Sequence, residues 1–189
     1  MKTFCLNPLI YNERVSSKPA NPRRRVKDSV ALYERVGDLA AHDLVRSHFH
    51  ALTRVVASEG GAIVRTIGDA VMATFPTPDR AVAAALRMRE AMDKLNQEHE
   101  TDDLLLKIGI HEGPCLAVME NGRQDYFGRT FNVAARVQDL AVSRGIFATR
   151  SVVENPQTSR LLEAKNLRPV VKRTTVQGIA GEIMVYEIP

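Results

Sequence analysis

Two apolar runs rich in β-branched residues, Ala62–Ile67 and Ala70–Phe75, flank the pair Gly68-Asp69. That pattern writes a tight hairpin: glycine takes the first central position of a II′ turn and both neighbours extend into strands. The turn sets Asp69 at the hairpin tip with a free carboxylate. Such a carboxylate can hold a metal ion or simply solvate a turn, and taken alone the second role is the commoner one.

The rest of the chain is organised around this hairpin. Leu44, Val45, Phe49, Leu52, Val55 and Val56 recur at three- and four-residue steps. They predict a helix over about Asp38–Ser58 that Gly60-Gly61 stops. Thr77-Pro78-Asp79 has the chemistry of a helix start, and Val82, Ala85, Met88, Met92 and Leu95 give that helix a buried stripe. Leu104–Ile110 reads as a strand, with Cys115–Met119 as its hairpin partner, closed by Asn121-Gly122. Gly128–Ala141 reads as a third helix, Ile146–Thr149 as a short strand, and Leu167–Val176 with Ile183–Ile188 as a last hairpin. Sequential hairpins interleaved with helices predict an α+β fold, helices packed on a largely antiparallel sheet. Residues 1–28 are the least legible. Two prolines and no apolar period mark Ser16–Pro22 as arm or loop, and Phe4–Tyr11 reads as an edge strand or a loose tether. The expected division is an arm over 1–28 and a domain over 29–189.

The 189 residues suffice for one domain with a substantial core. Net charge is +4, and Arg23, Arg24, Arg25 and Lys27 concentrate four cations early in the chain. This basic cluster is either a solvated arm or a phosphate grip. Aromatic residues make up 5% and tryptophan is absent, so a base-stacking platform has little to build on and a polyphosphate partner suits the balance better than nucleic acid. Cys5 and Cys115 make no metal-ligand spacing or disulfide framework and fit a reducing compartment. No apolar run is long enough to span a membrane. Phe4–Tyr11, broken by Asn7-Pro8, makes a poor signal peptide. A cytoplasmic domain is expected, alone or as a piece of a longer protein.

Two further stretches carry chemistry. Asn132 and Arg136, four apart on the third helix, share one face and together can grip an oxyanion or phosphate; an ordinary solvated face with a local contact is the plainer alternative. Asp125, on the approach to that helix, can accept from an exocyclic amine or cap the helix. His48, His50 and His111 have no partner at metal-ligand spacing and read as structural.

Four blocks in order are specific where each alone is weak: Ala31-Leu-Tyr-Glu-Arg-Val-Gly-Asp38, Thr66-Ile-Gly-Asp-Ala-Val-Met-Ala73, Lys107-Ile-Gly-Ile-His-Glu-Gly113 and Asp125-Tyr-Phe-Gly-Arg-Thr-Phe-Asn-Val-Ala-Ala-Arg-Val137. Together they resemble the class III nucleotidyl (adenylate/guanylate) cyclase catalytic domain, from about Asp28 to the C-terminus. The resemblance implies a ferredoxin-like α+β core and a head-to-tail dimer with sites at the interface. It implies two divalent ions, Mg²⁺ or Mn²⁺, and attack of the ATP 3′-hydroxyl on its own α-phosphate to give cyclic AMP and pyrophosphate. Carried over residue by residue, Asp69 matches a metal aspartate, Asp125 the acid that reads adenine, Asn132 the group that orients ribose, and Arg136 the group that stabilises phosphate charge. ATP is expected over GTP.

The chain departs from the family pattern in three places. A gap-free count back from Ala31 puts Arg25 at the family's other metal aspartate, with Asp28 as the nearby surrogate carboxylate, and no apolar strand directly precedes it. Arg25 either grips triphosphate in place of an ion or is bypassed by Asp28. Arg65 stands at the base-reading lysine, and Gln177 at a lysine that grips terminal phosphates. Two functional readings follow. One is an adenylate cyclase, active as a homodimer, with turnover impaired by the first loop. The other is a degenerate cyclase domain that binds nucleotide or serves as the regulatory half of a heterodimer. An RNA-binding ferredoxin-like domain is a distant third, disfavoured by the few aromatics.

Overall fold

In the computed structural model, residues 8–15, 37–67, 70–101, 104–120, 123–141, 144–175 and 181–189 are described. The hairpin read from the sequence is present as β2 (Ala62–Ile67) and β3 (Ala70–Thr74). They pair antiparallel from Ala62 opposite Thr74 to Ile67 opposite Ala70, with a register shift between Ile63 and Arg65. Gly68 and Asp69, between the strands, lie outside the described residues.

Two long helices cover one face of the sheet. Helix α1 (Asp38–Ser58) ends where Gly60 takes φ +71°, a left-handed conformation open to glycine, and the Gly61 amide closes back on the Val56 carbonyl. Helix α2 (Pro78–Glu98) starts at Thr77, but the hydroxyl makes no capping bond and Pro78 sets the first turn instead. The apolar stripes face inward as their spacing implies. Leu44, Leu52 and Val56 from α1 and Val82, Ala85, Met88 and Met92 from α2 are buried with Val71, Ala73 and Phe75 of the β3 segment.

The middle of the sheet corrects the sequence reading. Strand β1 is Pro8–Val15, and it is interior. It pairs antiparallel with β3, Pro8 opposite Thr74 through Tyr11 opposite Val71, and on its other side with β4 (Leu104–Ile110), Leu9 opposite Ile110 through Val15 opposite Leu104. The sheet therefore does not respect a boundary at residue 28. Part of the presumed arm supplies a strand with a ladder on both sides.

Strand β5 (Leu116–Glu120) likewise does not pair with β4. Its partner is β6 (Arg123–Phe127), a strand the sequence pattern did not reveal, and the two form a separate ribbon. On its second side β4 pairs in parallel with β7 (Ile146–Thr149). Antiparallel β9 (Glu182–Ile188) and β8 (Val170–Thr175) follow, and the order is β2-β3-β1-β4-β7-β9-β8. Two short helices unread from the sequence, α4 (Arg150–Val153) and α5 (Pro156–Ala164), pack against α2.

Helix α3 (Arg129–Asp139) covers the opposite face of the sheet, against β1, β4 and β7. Val137, Ala141, Phe147 and Val185 form the small core there. The approach is close because position 109 of β4 is glycine. A Cβ at Gly109 would lie 2.3 Å from the Gln138 nitrogen and 2.4 Å from the Ala134 carbonyl oxygen, both backbone atoms. Gly109→Ala is therefore expected to push α3 from the sheet and to cost about 1–3 kcal/mol, as overpacking does. At this chain length that is a fall in Tm of roughly 2–12 °C by calorimetry; an unchanged Tm would refute the contact.

Candidate active site

Helix α3 carries the Asn132–Arg136 pair, and its packing decides which way the pair faces. Thr130, Phe131, Ala134, Val137 and Gln138 are buried, which turns Asn132 and Arg136 together to the exposed side. The Arg136 guanidinium lies 3.3 Å from the Asp139 carboxylate, one turn further on. Both partners are about half exposed, so the pair is weak and the guanidinium is open to competition from a better anion.

The turn from β4 into β5 fixes the start of this helix. The Thr130 hydroxyl donates to the Pro114 carbonyl. A Cβ at Gly113 would meet the Thr130 hydroxyl oxygen at 2.7 Å, so a side chain at 113 would displace the Thr130 hydroxyl. Gly128, at φ 151°, carries β6 into α3. At the end of β4, His111 Nδ1 lies 3.0 Å from the Thr149 hydroxyl at the end of β7. The Thr149 hydroxyl is 3.3 Å from that of Ser151. His111 thus ties together the two parallel strands beneath the helix.

The other predicted residues are distributed as follows. Arg65 lies on β2 and is exposed. Asp125 is on β6, opposite Val118 in the ribbon, and β6 lies against β2, so the strands bearing Arg65 and Asp125 are neighbours. Asp69, Arg25, Asp28 and Gln177 are outside the described residues, as is the basic cluster at 23–27. Strand β1 adds two residues that sequence reasoning passed over. Its register on β3 runs to Tyr11 opposite Val71, which sets Asn12 and Glu13 just beyond, at the level where β3 begins at Ala70 next to Asp69. The signal was present as the apolar Leu9-Ile10-Tyr11, but it stands far upstream of the position a gap-free count demands.

Among the described residues no group of three or more His, Cys, Asp or Glu side chains is placed to hold a metal ion. Cys115 is disulfide-bonded rather than a free thiol. Cys5, the only other cysteine, is outside the described residues. The cysteines therefore give no support to a reducing compartment. No helix among the described residues is long and apolar enough to cross a membrane.

Burial also sets the protonation of the scaffold. It pushes His111 down to about 4, and does the same to His48, whose Nδ1 lies 3.1 Å from the Met92 sulfur between α1 and α2. Desolvation raises the Glu112 carboxyl. For each histidine the unfolded chain, with a pKa near 6.5, binds the proton more readily than the folded one. Their contribution to stability is therefore full above about pH 6.5 and is lost as pH falls towards about 4, at up to ~1.4 kcal/mol per pH unit each. Glu112 acts with the opposite sign: its contribution is present at low pH and is lost as pH rises through its elevated pKa. Urea midpoints between pH 7 and 4.5 should fall less steeply for His111→Gln than for the parent chain. Parallel curves would show that His111 is not buried in its neutral form.

Comparison with known proteins places this arrangement. The Adenylate and Guanylate cyclase catalytic domain model matches residues 24–188, beginning after β1. An adenylate cyclase of Anabaena cylindrica is 29% identical over 178 residues, covering 86% of this chain and 35% of that protein. An uncharacterized protein of Mycobacterium tuberculosis is 34% identical over 159 residues, covering 84% of this chain and 38% of that protein. The chain thus spans a little over a third of the length of these curated relatives. The crystal structure of the adenylyl cyclase CyaB from P. aeruginosa is similar with a TM-score of 0.77 at 21% identity, covering 98% of this chain and 94% of that one. The guanylate cyclase domain of RhGC from Catenaria anguillulae, in complex with GTP, gives 0.73 at 17%, covering 99% and 98%. At such identities the solved structures speak for the fold, which is the α+β fold of class III cyclases. With most of its length matched by the family model, the chain belongs to the adenylate and guanylate cyclase catalytic domain family.

Proposed function

We propose that this domain converts ATP to 3′,5′-cyclic AMP and pyrophosphate, working as a head-to-tail homodimer. The observation that carries the proposal is the exposed side of α3. An amide and a guanidinium one turn apart face outward from a helix whose position is fixed by backbone contact with the sheet. Asn132 orients the ribose. Arg136 leaves Asp139 and donates to the phosphate oxygens as charge builds on them, an interaction stronger in the transition state than in the ground state. Asp125 accepts from the adenine amine, and Arg65, on the neighbouring strand, supplies the second contact to the base. A preference for ATP over GTP rests on Asp125.

The family chemistry needs divalent cations, and the donors this chain offers are oxygens, which suit Mg²⁺ or Mn²⁺. Asp69 would be one ligand. The second would come from Glu13, which β1 sets near the start of β3, or from Asp28, with Arg25 then free to grip the triphosphate. Bound there, the ions would neutralise phosphate charge and activate the attacking hydroxyl. β1 offers Asn12 and Glu13 but no aspartate. This favours a second reading, in which the domain binds nucleotide without turnover and completes the site of another cyclase domain.

The test is cyclic AMP formation from ATP with Mn²⁺, using the chain and its Asp69→Ala, Arg136→Ala, Glu13→Gln and Asp28→Asn variants. Asp69→Ala and Arg136→Ala are expected to lose at least about a hundredfold in kcat, the scale of losing one charge-stabilising group. Of Glu13→Gln and Asp28→Asn, the variant that falls with them identifies the second ligand. An inactive parent chain that still binds an ATP analogue would establish the second reading.

A further inference from the structure

Strand β8 closes the seven-stranded sheet at the edge opposite β2, and among the described residues only β9 pairs with it. Its outer row of backbone donors and acceptors has no partner among the described residues. Edge strands invite pairing, and proteins commonly protect them by shortening, by charge or by cover. Here no described residue covers either face. Val170 and Val171, whose side chains point to opposite faces, are 56% and 53% exposed, and the rest of the strand except Thr174 is exposed as well.

The charge that β8 and its flanking segments carry has one sign, while Glu182 and Glu187 stand on the neighbouring β9. From Ala164 to Gly181 the chain has four cations, Lys165, Arg168, Lys172 and Arg173, and no Asp or Glu. Lys172 is already engaged: its ammonium lies 2.6 Å from Glu187 and 5.0 Å from the centre of the Phe147 ring, on the sheet and away from the edge. Lys165, Arg168 and Arg173 are exposed and make no ion pair with any described residue. Exposed, unpaired cations beside two exposed valines repel basic strands and attract acidic ones.

We propose that the outer edge of β8 is a docking strand for an extended acidic segment of a partner protein, added to the sheet as a further strand. Backbone hydrogen bonds supply the affinity and the side chains the selection. On one face of β8 Val171 is followed two residues later by the unpaired Arg173, and on the other Val170 is followed by Lys172, already held by Glu187. An antiparallel occupant places an acidic residue opposite Arg173 and two β-branched apolar residues opposite Val171 and Val170. A nucleic acid fits less well: β8 has no aromatic side chain on which a base could stack. The proposal is independent of nucleotide turnover.

The experiment uses the full chain and a short synthetic peptide with the core Glu-Glu-Val-Val, followed by amide hydrogen exchange and by fluorescence anisotropy of the labelled peptide. Binding is expected to protect amides of residues 170–175 and to weaken as salt rises. A peptide with the core Lys-Lys-Val-Val should not bind. The Arg168→Glu, Arg173→Glu double variant, whose changes are at exposed positions, should bind the acidic peptide at least tenfold more weakly with an unchanged melting curve. Because the basic peptide is tested on the unaltered chain, the charge argument stands or falls even if the variant misfolds. Absence of peptide binding, equal binding of the two peptides, or tighter binding of a single-stranded oligonucleotide would each overturn the proposal. So would protection of β8 that grows with protein concentration without peptide, since a second copy would then be the occupant.

Discussion

The structure depends on one contact without side chains between its partners: the backbone of α3 resting on Gly109 of β4. Most helix–sheet pairs are held apart by the side chains between them. Here the Ala134 carbonyl and the Gln138 amide come so near β4 that even a methyl group has no room. The helix is thereby fixed in height above the sheet. The Thr130 bond to Pro114 then fixes its N-terminal end, and the His111–Thr149 contact joins the parallel strands below. The exposed pair Asn132 and Arg136 inherits this placement. Its own local partner is the weak surface ion pair to Asp139.

The opposite face of the sheet is stabilised differently. There α1 and α2 bury a continuous apolar core, and the charged groups within it are matched rather than excluded. Glu59, at the C-terminal end of α1 where a carboxylate meets the negative pole of the helix, is almost fully buried. Arg87 and Arg80, at 2.7 and 3.2 Å, supply the compensating charge from α2. Buried Asn96 does the equivalent for a backbone, since its amide donates to the Leu104 carbonyl and accepts from the Leu104 nitrogen, both at 3.0 Å. This locks the end of α2 to the start of β4. A rigid face thus backs a face whose polar groups are exposed, an asymmetry that suits a site completed by something outside the chain.

The parts of the fold legible in the sequence share one property: each makes its own local signal. Helices α1 and α2 announce themselves by apolar spacing, the β2–β3 hairpin by two runs about a glycine pair, and α3 by its valines. Strands β1 and β6 do not. β1 reads Pro-Leu-Ile-Tyr-Asn-Glu-Arg-Val and becomes interior only because β3 and β4 receive it from far along the chain. β6, Arg-Gln-Asp-Tyr-Phe, gains its ladder from β5 alone. The candidate site divides in the same way. Asn132 and Arg136 could be paired from helical spacing, whereas the nearness of the strands bearing Arg65 and Asp125, and of Asn12 and Glu13 to the start of β3, lies in pairings between distant segments.

The sequence by itself determined the α+β class, the two long amphipathic helices, the hairpin and the family, because hydrophobic period, turn chemistry and ordered motifs are written in neighbouring residues. Only the tertiary structure decided that part of the first segment is a central strand, that β5 turns away from β4 to pair with β6, and that β8 ends the sheet among the described residues. Those outcomes depend on which backbone edges find one another across long stretches of chain. Hydrogen-bonding groups of the backbone are the same in every residue but proline, so the sequence carries little local mark of the partner they will choose.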